Sequence, residues 1–110
     1  MNNISILGRL TRDIVLQKTS NGVSLARFDV AVSRGYKNAD GDVETDFFKC
    51  VAWRETAENI AKWFKKGNYI GLIGSMNSRA YEGEDGVNRT IWELNVKGFS
   101  FANSSSDKEE

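Results

Sequence analysis

Alternation of apolar and polar residues runs through most of this chain and predicts that it is built mainly from β-strands. The clearest strand has two distinct faces, Ala26, Phe28, Val30 and Val32 on one and Arg27, Asp29, Ala31 and Ser33 on the other. Similar patterns cover residues 3–10, 45–53, 69–81 and 87–96, with a weaker one at residues 14–19. Turn-forming sequences separate them: Ser20-Asn21-Gly22, Asp40-Gly41 and Glu84-Asp85-Gly86.

After residue 53, the spacing of apolar residues changes from the two-residue repeat of a strand to that of a helix, and it does so nowhere else in the chain. Four apolar residues recur at helical spacing there: Ala57, Ile60, Ala61 and Phe64. Thr56 is the predicted N-cap, and Lys65-Lys66-Gly67 is typical of a helix end. Trp63 lies beside the apolar stripe, so we expect it to pack against the core and not to bind a ligand. Trp92 shares one side of the last predicted strand with Leu94 and Val96, so we expect it to be largely buried in the core.

The predicted order of elements is three strands, one helix and two strands, with long hairpins before the third strand and before the last. Gly8, Gly71 and Gly74 interrupt strands in the way that curved barrel strands require. One helix between strands 3 and 4 of a small barrel is the layout of an OB-fold, a five-stranded Greek-key barrel. We therefore predict an all-β OB-fold domain over residues 1–102, followed by a disordered acidic tail over residues 103–110.

The composition narrows the possible functions. A chain of 110 residues corresponds to one domain, and it contains no apolar run near the roughly 18 residues of a membrane span. It also lacks a secretory signal pattern, so we expect no membrane association and a cytoplasmic location. There is no histidine, the carboxylates lie mainly in predicted turns, and Cys50 is on an apolar strand face. We therefore predict no catalytic residues, no metal site and no cofactor.

The net charge of zero argues against a nucleic-acid-binding protein, but the distribution of charge does not. Residues 107–110 carry a net charge of −2, so residues 1–106 carry +2, from 14 basic and 12 acidic residues. Many of the acids fall in two predicted turns, at residues 40–44 and 82–85. A basic face can therefore exist on a neutral chain.

The strand at residues 45–53 carries the most informative pattern. One face holds Phe47, Lys49, Val51 and Trp53, and the other holds Phe48, Cys50 and Ala52. Aromatic rings beside a cation suit bases joined by phosphates, whereas a strand buried on both sides, with its lysine reaching to solvent, would give the same pattern. An OB-fold binds oligonucleotides on its strand 2–3 face and long loops, where Tyr36, Arg79 and Tyr81 also fall. This placement favours binding.

The chain resembles the bacterial and phage single-stranded DNA-binding protein family over nearly all of residues 1–101. The matching pieces are Ile6–Asp13, Ala26–Val32, Thr45–Arg54, Ala57-Glu58, Lys66-Gly67, Gly74, Arg79-Ala80-Tyr81 and Asp85-Gly86. The resemblance implies a homotetramer whose aromatic residues stack on bases, at Tyr36, Phe47, Trp53 and Tyr81. Several of these positions are tryptophan in well-known members, so the stacking area here is expected to be smaller.

The same resemblance implies phosphate contacts from Arg9, Arg27, Lys49, Lys62, Arg79 and Arg89. Lys49 and Arg79 are the best placed, whereas a solvated surface cation is an equally good interpretation of the other four. The chain departs from the family pattern in two places. It has Ile14 where proline is common, and its acidic end lacks the apolar tip that relatives use to recruit partners. We therefore expect weak or no tail-mediated recruitment of replication and repair proteins.

These observations predict a non-catalytic protein that binds and protects single-stranded DNA in replication, recombination, repair or DNA uptake. The alternative is an OB-fold accessory subunit that acts mainly through protein–protein contacts, with its aromatic face covered by a partner. RNA binding through the same face also remains open, because stacking does not depend on the 2′-hydroxyl.

Overall fold

Residues 1–102, which the computed structural model describes, form six strands and one helix. The elements in chain order are β1 (Ile4–Leu10), β2 (Leu16–Lys18), β3 (Ser24–Lys37), β4 (Val43–Trp53), α1 (Arg54–Trp63), β5 (Tyr69–Glu82) and β6 (Asn88–Phe101). The predicted tail, residues 103–110, lies outside the described residues.

Five of the strands close into a barrel. β3 and β4 form one antiparallel hairpin and β5 and β6 another, β1 pairs with both β3 and β5, and β4 runs parallel to β6. The short β2, predicted as the weak strand at residues 14–19, adds to the edge of β3. The helix therefore lies between the third and fourth strands of the barrel, which confirms the predicted OB-fold.

The inward faces of the strands meet in a single apolar core. Its buried residues come from the barrel strands and from α1 and its exit: Leu10, Ala26, Phe28, Val30, Cys50, Ala52, Ala57, Ile60, Phe64, Ile70, Leu72, Leu94 and Val96. The inward sets predicted from alternation for residues 26–32 and 48–52 are confirmed. Cys50 is buried as predicted, and burial raises the pKa of its thiol to about 12.

Two glycines allow backbones to approach closely where the barrel bends. A Cβ at Gly8 would collide with the side chain of Val30 and lie 2.6 Å from the carbonyl oxygen of Ala31. A Cβ at Gly74 would collide with the carbonyl oxygen of Asn95, at the point where the β5–β6 register shifts. The close backbone approach predicted at Gly8 is confirmed, and Gly74 shows the same kind of approach.

The helix and the last strand differ from their predicted bounds. The helix begins directly after β4, with Trp53 in the cap position and no side-chain cap, so the predicted N-cap at Thr56 is wrong. It ends at Trp63 because Phe64 turns into extended backbone and enters the core, which leaves Lys65 and Lys66 beyond the helix. β6 continues past its predicted end at Val96 to Phe101, where it still pairs with β5.

The predicted burial of two tryptophans is wrong. Trp63 is 56% exposed, with the ammonium of Lys62 5.0 Å from its ring centre. Trp92 is 59% exposed, although it lies on the same side of β6 as buried Leu94. The physical reason is that the β5–β6 hairpin continues past the core, so no residue among 1–102 covers, at Trp92, the side of the strand that faces inward at Leu94.

No helix among residues 1–102 is long and apolar enough to cross a membrane. The same residues contain no group of three or more cysteine, aspartate or glutamate side chains placed to hold a metal ion.

Candidate nucleic-acid interface

The outer surface of four adjacent barrel strands, in the order β3, β4, β6, β5, forms the candidate interface. Strand register fixes which side chains are neighbours on it. Ala31 pairs with Phe47, Asp29 with Lys49, and Arg27 with Val51 across β3 and β4. Val51 pairs in turn with Asn95 on β6, so it is flanked on both sides and buried, although it shares a face with Phe47 and Lys49.

The four predicted stacking residues are all exposed. Phe47 and Trp53 lie on the same face of β4, six residues and therefore about 20 Å apart. Tyr81 is near the tip of the β5–β6 hairpin, and Tyr36 is near the end of β3, beyond the point where pairing with β4 becomes irregular. The rings are therefore spread over the surface as separate platforms, and one base cannot reach all of them.

A cleft of about 380 Å³ brings cations and apolar surface together on this face. Its lining comprises Arg12, Arg27, Phe28, Lys49, Cys50, Arg79, Tyr81, Ile91 and Glu93. A second cleft, of about 250 Å³, is lined by Arg27, Val51, Trp53, Asn77, Ser78, Arg79, Glu93 and Asn95. Because the two clefts share Arg27, Arg79 and Glu93, they are adjacent, and together they connect Tyr81 with Trp53.

The shared residues form a network of ion pairs. Glu93 accepts a hydrogen bond from Arg27 through Oε2, at 2.6 Å, and one from Arg79 through Oε1, at 3.1 Å. The Glu93 side chain is only 11% exposed, whereas those of Arg27 and Arg79 are 41% and 46% exposed. Lys49 is also exposed and has no ion-pair partner within residues 1–102. This face therefore presents partly free guanidinium groups and a free ammonium.

The remaining predicted phosphate contacts lie further out. Arg9 packs its guanidinium 4.5 Å above the ring of Tyr69 and donates a 2.6 Å hydrogen bond to its hydroxyl. Its β3 partner, Ala31, pairs with Phe47, so Arg9 is two strand spacings, about 10 Å, from the β4 platform. Lys62 on α1 lines neither cleft, and Arg89 is held by Asp85 beside the hairpin turn.

Two residues that sequence reasoning did not select are central to the geometry. Arg12 follows β1 in a segment without periodicity, yet it lines the larger cleft with Lys49. Glu93 connects the two arginines. The sequence did contain one indication for Glu93. It is a single carboxylate among apolar residues, in the run Ile91-Trp92-Glu93-Leu94, which suggests that its face of the strand is partly buried.

The acids of the β3–β4 hairpin have partners of their own. Arg34 makes two hydrogen bonds to Asp46, at 3.0 and 2.9 Å, and one to Glu44 at 3.1 Å. The hydrogen bond from Arg34 lowers the pKa of the Asp46 carboxyl group. Glu44 and Asp46 therefore pair with Arg34 inside the hairpin and not with the cations of the clefts.

Comparison with known proteins finds related sequences along nearly the whole chain. The family model described as "Single-strand binding protein family" matches residues 1–102. The chain is 44% identical, over 90% of its length, to "Single-stranded DNA-binding protein 4" of Streptococcus agalactiae, of which it covers 72%. It is 41% identical over 90% of its length to "Single-stranded DNA-binding protein 1" of Streptococcus pyogenes, covering 76% of that protein. Against "Single-stranded DNA-binding protein" of Bacillus cereus the identity is 43%, over 92% of this chain and 59% of the relative.

Proposed function

Because this chain belongs to the single-strand binding protein family, we propose that it binds and protects single-stranded DNA, largely regardless of sequence and without catalysing a reaction. The observation that supports this most directly is the pair of adjacent clefts, in which Arg12, Arg27, Lys49 and Arg79 lie between Tyr81 and Trp53. Replication, recombination and repair all expose single strands, and they are the processes in which this binding is used.

In this proposal the aromatic residues bind bases and the cations bind the backbone. Tyr36, Phe47, Trp53 and Tyr81 each offer an exposed ring, and stacking contributes about 1–3 kcal/mol per base whatever the base is. Lys49, Arg27 and Arg79 hold phosphates between these platforms, and Arg9, Lys62 and Arg89 are the more peripheral contacts. Neither kind of interaction distinguishes one base sequence from another.

The test is a titration of the protein with labelled oligo-dT, oligo-dA and a duplex of equal length, at two salt concentrations. We expect similar affinity for both single strands, much weaker binding to the duplex, and weaker binding at the higher salt concentration. An oligo-rU arm measures whether RNA competes. Weak binding that does not change with salt would instead favour an accessory subunit that acts through protein contacts.

We also propose that the functional unit is a homotetramer. Leu7 on β1 and Ile73 on β5 are large apolar residues that are exposed on the outer surface of paired strands. Such a patch is typical of a subunit contact. Light scattering at micromolar concentration should give the tetramer mass, and Leu7→Asp should lower it. A monomer for the unmodified chain would contradict the proposal.

A further proposal concerns residues 103–110, which are all polar and include three acids and one lysine. Attraction between charged side chains alone is weak and salt-screened. We therefore propose that this segment captures replication and repair proteins poorly. A pull-down that compares the full chain with a variant lacking residues 103–110 tests this, and strong capture that requires the segment would contradict it.

A further inference from the structure

A buried carboxylate lies in the middle of a surface that is proposed to bind a polyanion. The whole Glu93 residue is 8% exposed, and it lines both clefts. Each of its carboxylate oxygens accepts a hydrogen bond from a different arginine. A negative charge there lowers the positive potential available to phosphate. It therefore needs a role that offsets this cost.

The geometry favours a role for Glu93 in positioning the two arginines over simple competition with phosphate for them. Arg27 uses its Nη1 group and Arg79 its Nε group to bind Glu93, so the other N–H groups of each guanidinium remain available. The arginine side chains are four times as exposed as the carboxylate they hold. A phosphate can therefore reach the arginines without displacing Glu93. Two arginines on different strands, β3 and β5, would otherwise repel each other and rotate freely.

We infer that Glu93 is a positioning residue for single-stranded DNA binding. From its place on β6 it draws together Arg27 of β3 and Arg79 of β5 and fixes the planes of their guanidinium groups, so that their free N–H groups point at the same stretch of backbone. This inference rests on the proposed function, and it names the element that orders the phosphate site. A fixed guanidinium loses less rotamer entropy when it binds phosphate than a free one does.

The decisive variant is Glu93→Gln, because it removes the charge and keeps the shape. A glutamine retains one acceptor oxygen but presents an amide N–H group to the second arginine, so only one of the two guanidiniums stays fixed. The matched control is Asp29→Asn. Asp29 lies on the same sheet face, opposite Lys49, and makes no ion pair within the part of the chain that the structure describes. Both substitutions remove one negative charge from one surface.

The two variants should change affinity for oligo-dT in opposite directions. Asp29→Asn should bind up to about twofold more tightly at low salt, and the gain should disappear at high salt, because it is purely electrostatic. Glu93→Gln should bind about three- to tenfold more weakly at both salt concentrations, because an oriented, charge-assisted contact is lost. Tighter binding by Glu93→Gln, in parallel with Asp29→Asn, would show that Glu93 only competes with phosphate and would overturn the inference.

Two further measurements keep the result interpretable. In an Arg79→Ala background, the effect of Glu93→Gln should be less than half its size in the unmodified chain, since Glu93 acts partly through Arg79. If Glu93→Gln does not fold, as judged by circular dichroism, Glu93→Asp is used, which keeps the charge but is too short to reach both arginines. It should also weaken binding, and unchanged affinity would overturn the inference. Failure of the unmodified chain to bind oligo-dT would contradict the proposed function itself.

Discussion

Phe47→Ala is the most direct perturbation of the proposed stacking surface. The Phe47 side chain is 67% exposed and lies opposite Ala31, so its removal leaves the core intact. We expect the free energy of unfolding to change by no more than about 1 kcal/mol, the range of strand preference at an exposed position. Loss of one stacked base should cost about 1–3 kcal/mol of binding, which corresponds to roughly 5- to 150-fold weaker affinity.

The assay is fluorescence anisotropy of labelled oligo-dT and oligo-dA at low and high salt. Stacking is not a charge interaction, so the loss should be similar for both oligonucleotides and at both salt concentrations. Phe47→Trp provides the opposite change, and its larger ring should tighten binding. Trp63→Ala is the matched control, since it removes an exposed aromatic ring from α1, which is not part of the β3–β4–β6–β5 surface, and it should leave affinity unchanged.

Unchanged affinity of Phe47→Ala for both oligonucleotides, with normal thermal unfolding, would refute the assignment of this β4 face to base stacking. Loss of affinity in Trp63→Ala equal to that in Phe47→Ala would also refute it, because exposure of an aromatic ring would then predict binding better than its place on the sheet.

Two other predictions follow from the same geometry. Arg79→Ala and Lys49→Ala should each weaken binding to all base compositions alike and reduce the slope of log K against log salt by about 0.7, and a loss confined to one composition would indicate base readout instead. Cys50 should not react with a thiol reagent at pH 8 in the folded protein, because burial raises its pKa to about 12 and keeps the thiol protonated, whereas urea-unfolded protein should react fully.

The alternating pattern was sufficient to predict the strands, because each strand has to bury one face, and the order of strands and helix then predicted the barrel. On β3, the alternating residues Ala26, Phe28 and Val30 identified the inward face of the strand, although the elements that pack against that face were unknown. Gly8 indicated a close backbone approach, and the structure contains it. The position of the helix followed from the change of period. Its ends did not, because the helix begins directly after β4 without a side-chain cap, and it ends where Phe64 leaves the helix to enter the core.

The same reasoning failed for Trp63 and Trp92. The apolar pattern predicts which side of a helix or strand a residue is on, but it does not predict whether another element covers that side. At Trp92 the strand extends beyond the core, so an inward-type position is exposed. All three tryptophans are therefore exposed, and single Trp→Phe variants would show which of them reports DNA binding by fluorescence quenching.

Local alternation predicted only those site residues that share a strand, whereas Arg27, Arg79 and Tyr81 were predicted from the OB-fold layout and the family resemblance. Phe47, Lys49 and Trp53 could be recognised together because they alternate on β4. Arg12 and Glu93 could not be grouped with them, since 37 and 44 residues separate them from Lys49 and only closure of the barrel makes them neighbours. Long-range strand pairing, and not local periodicity, therefore determines the composition of the clefts.

The neutral net charge makes a specific prediction about binding kinetics. Four cations and one carboxylate line the larger cleft, yet the chain as a whole carries no net charge. At distances beyond the Debye length, about 8 Å at physiological ionic strength, the protein attracts DNA weakly, so electrostatic steering of association is small. Once the strand is in the cleft, the local cations act at contact distance.

We therefore expect an increase from 50 to 200 mM salt to raise the dissociation rate constant by a larger factor than it lowers the association rate constant. Stopped-flow measurements with oligo-dT check this. A salt effect mainly on association would show that a long-range basic field, and not contact within the clefts, controls capture of the strand.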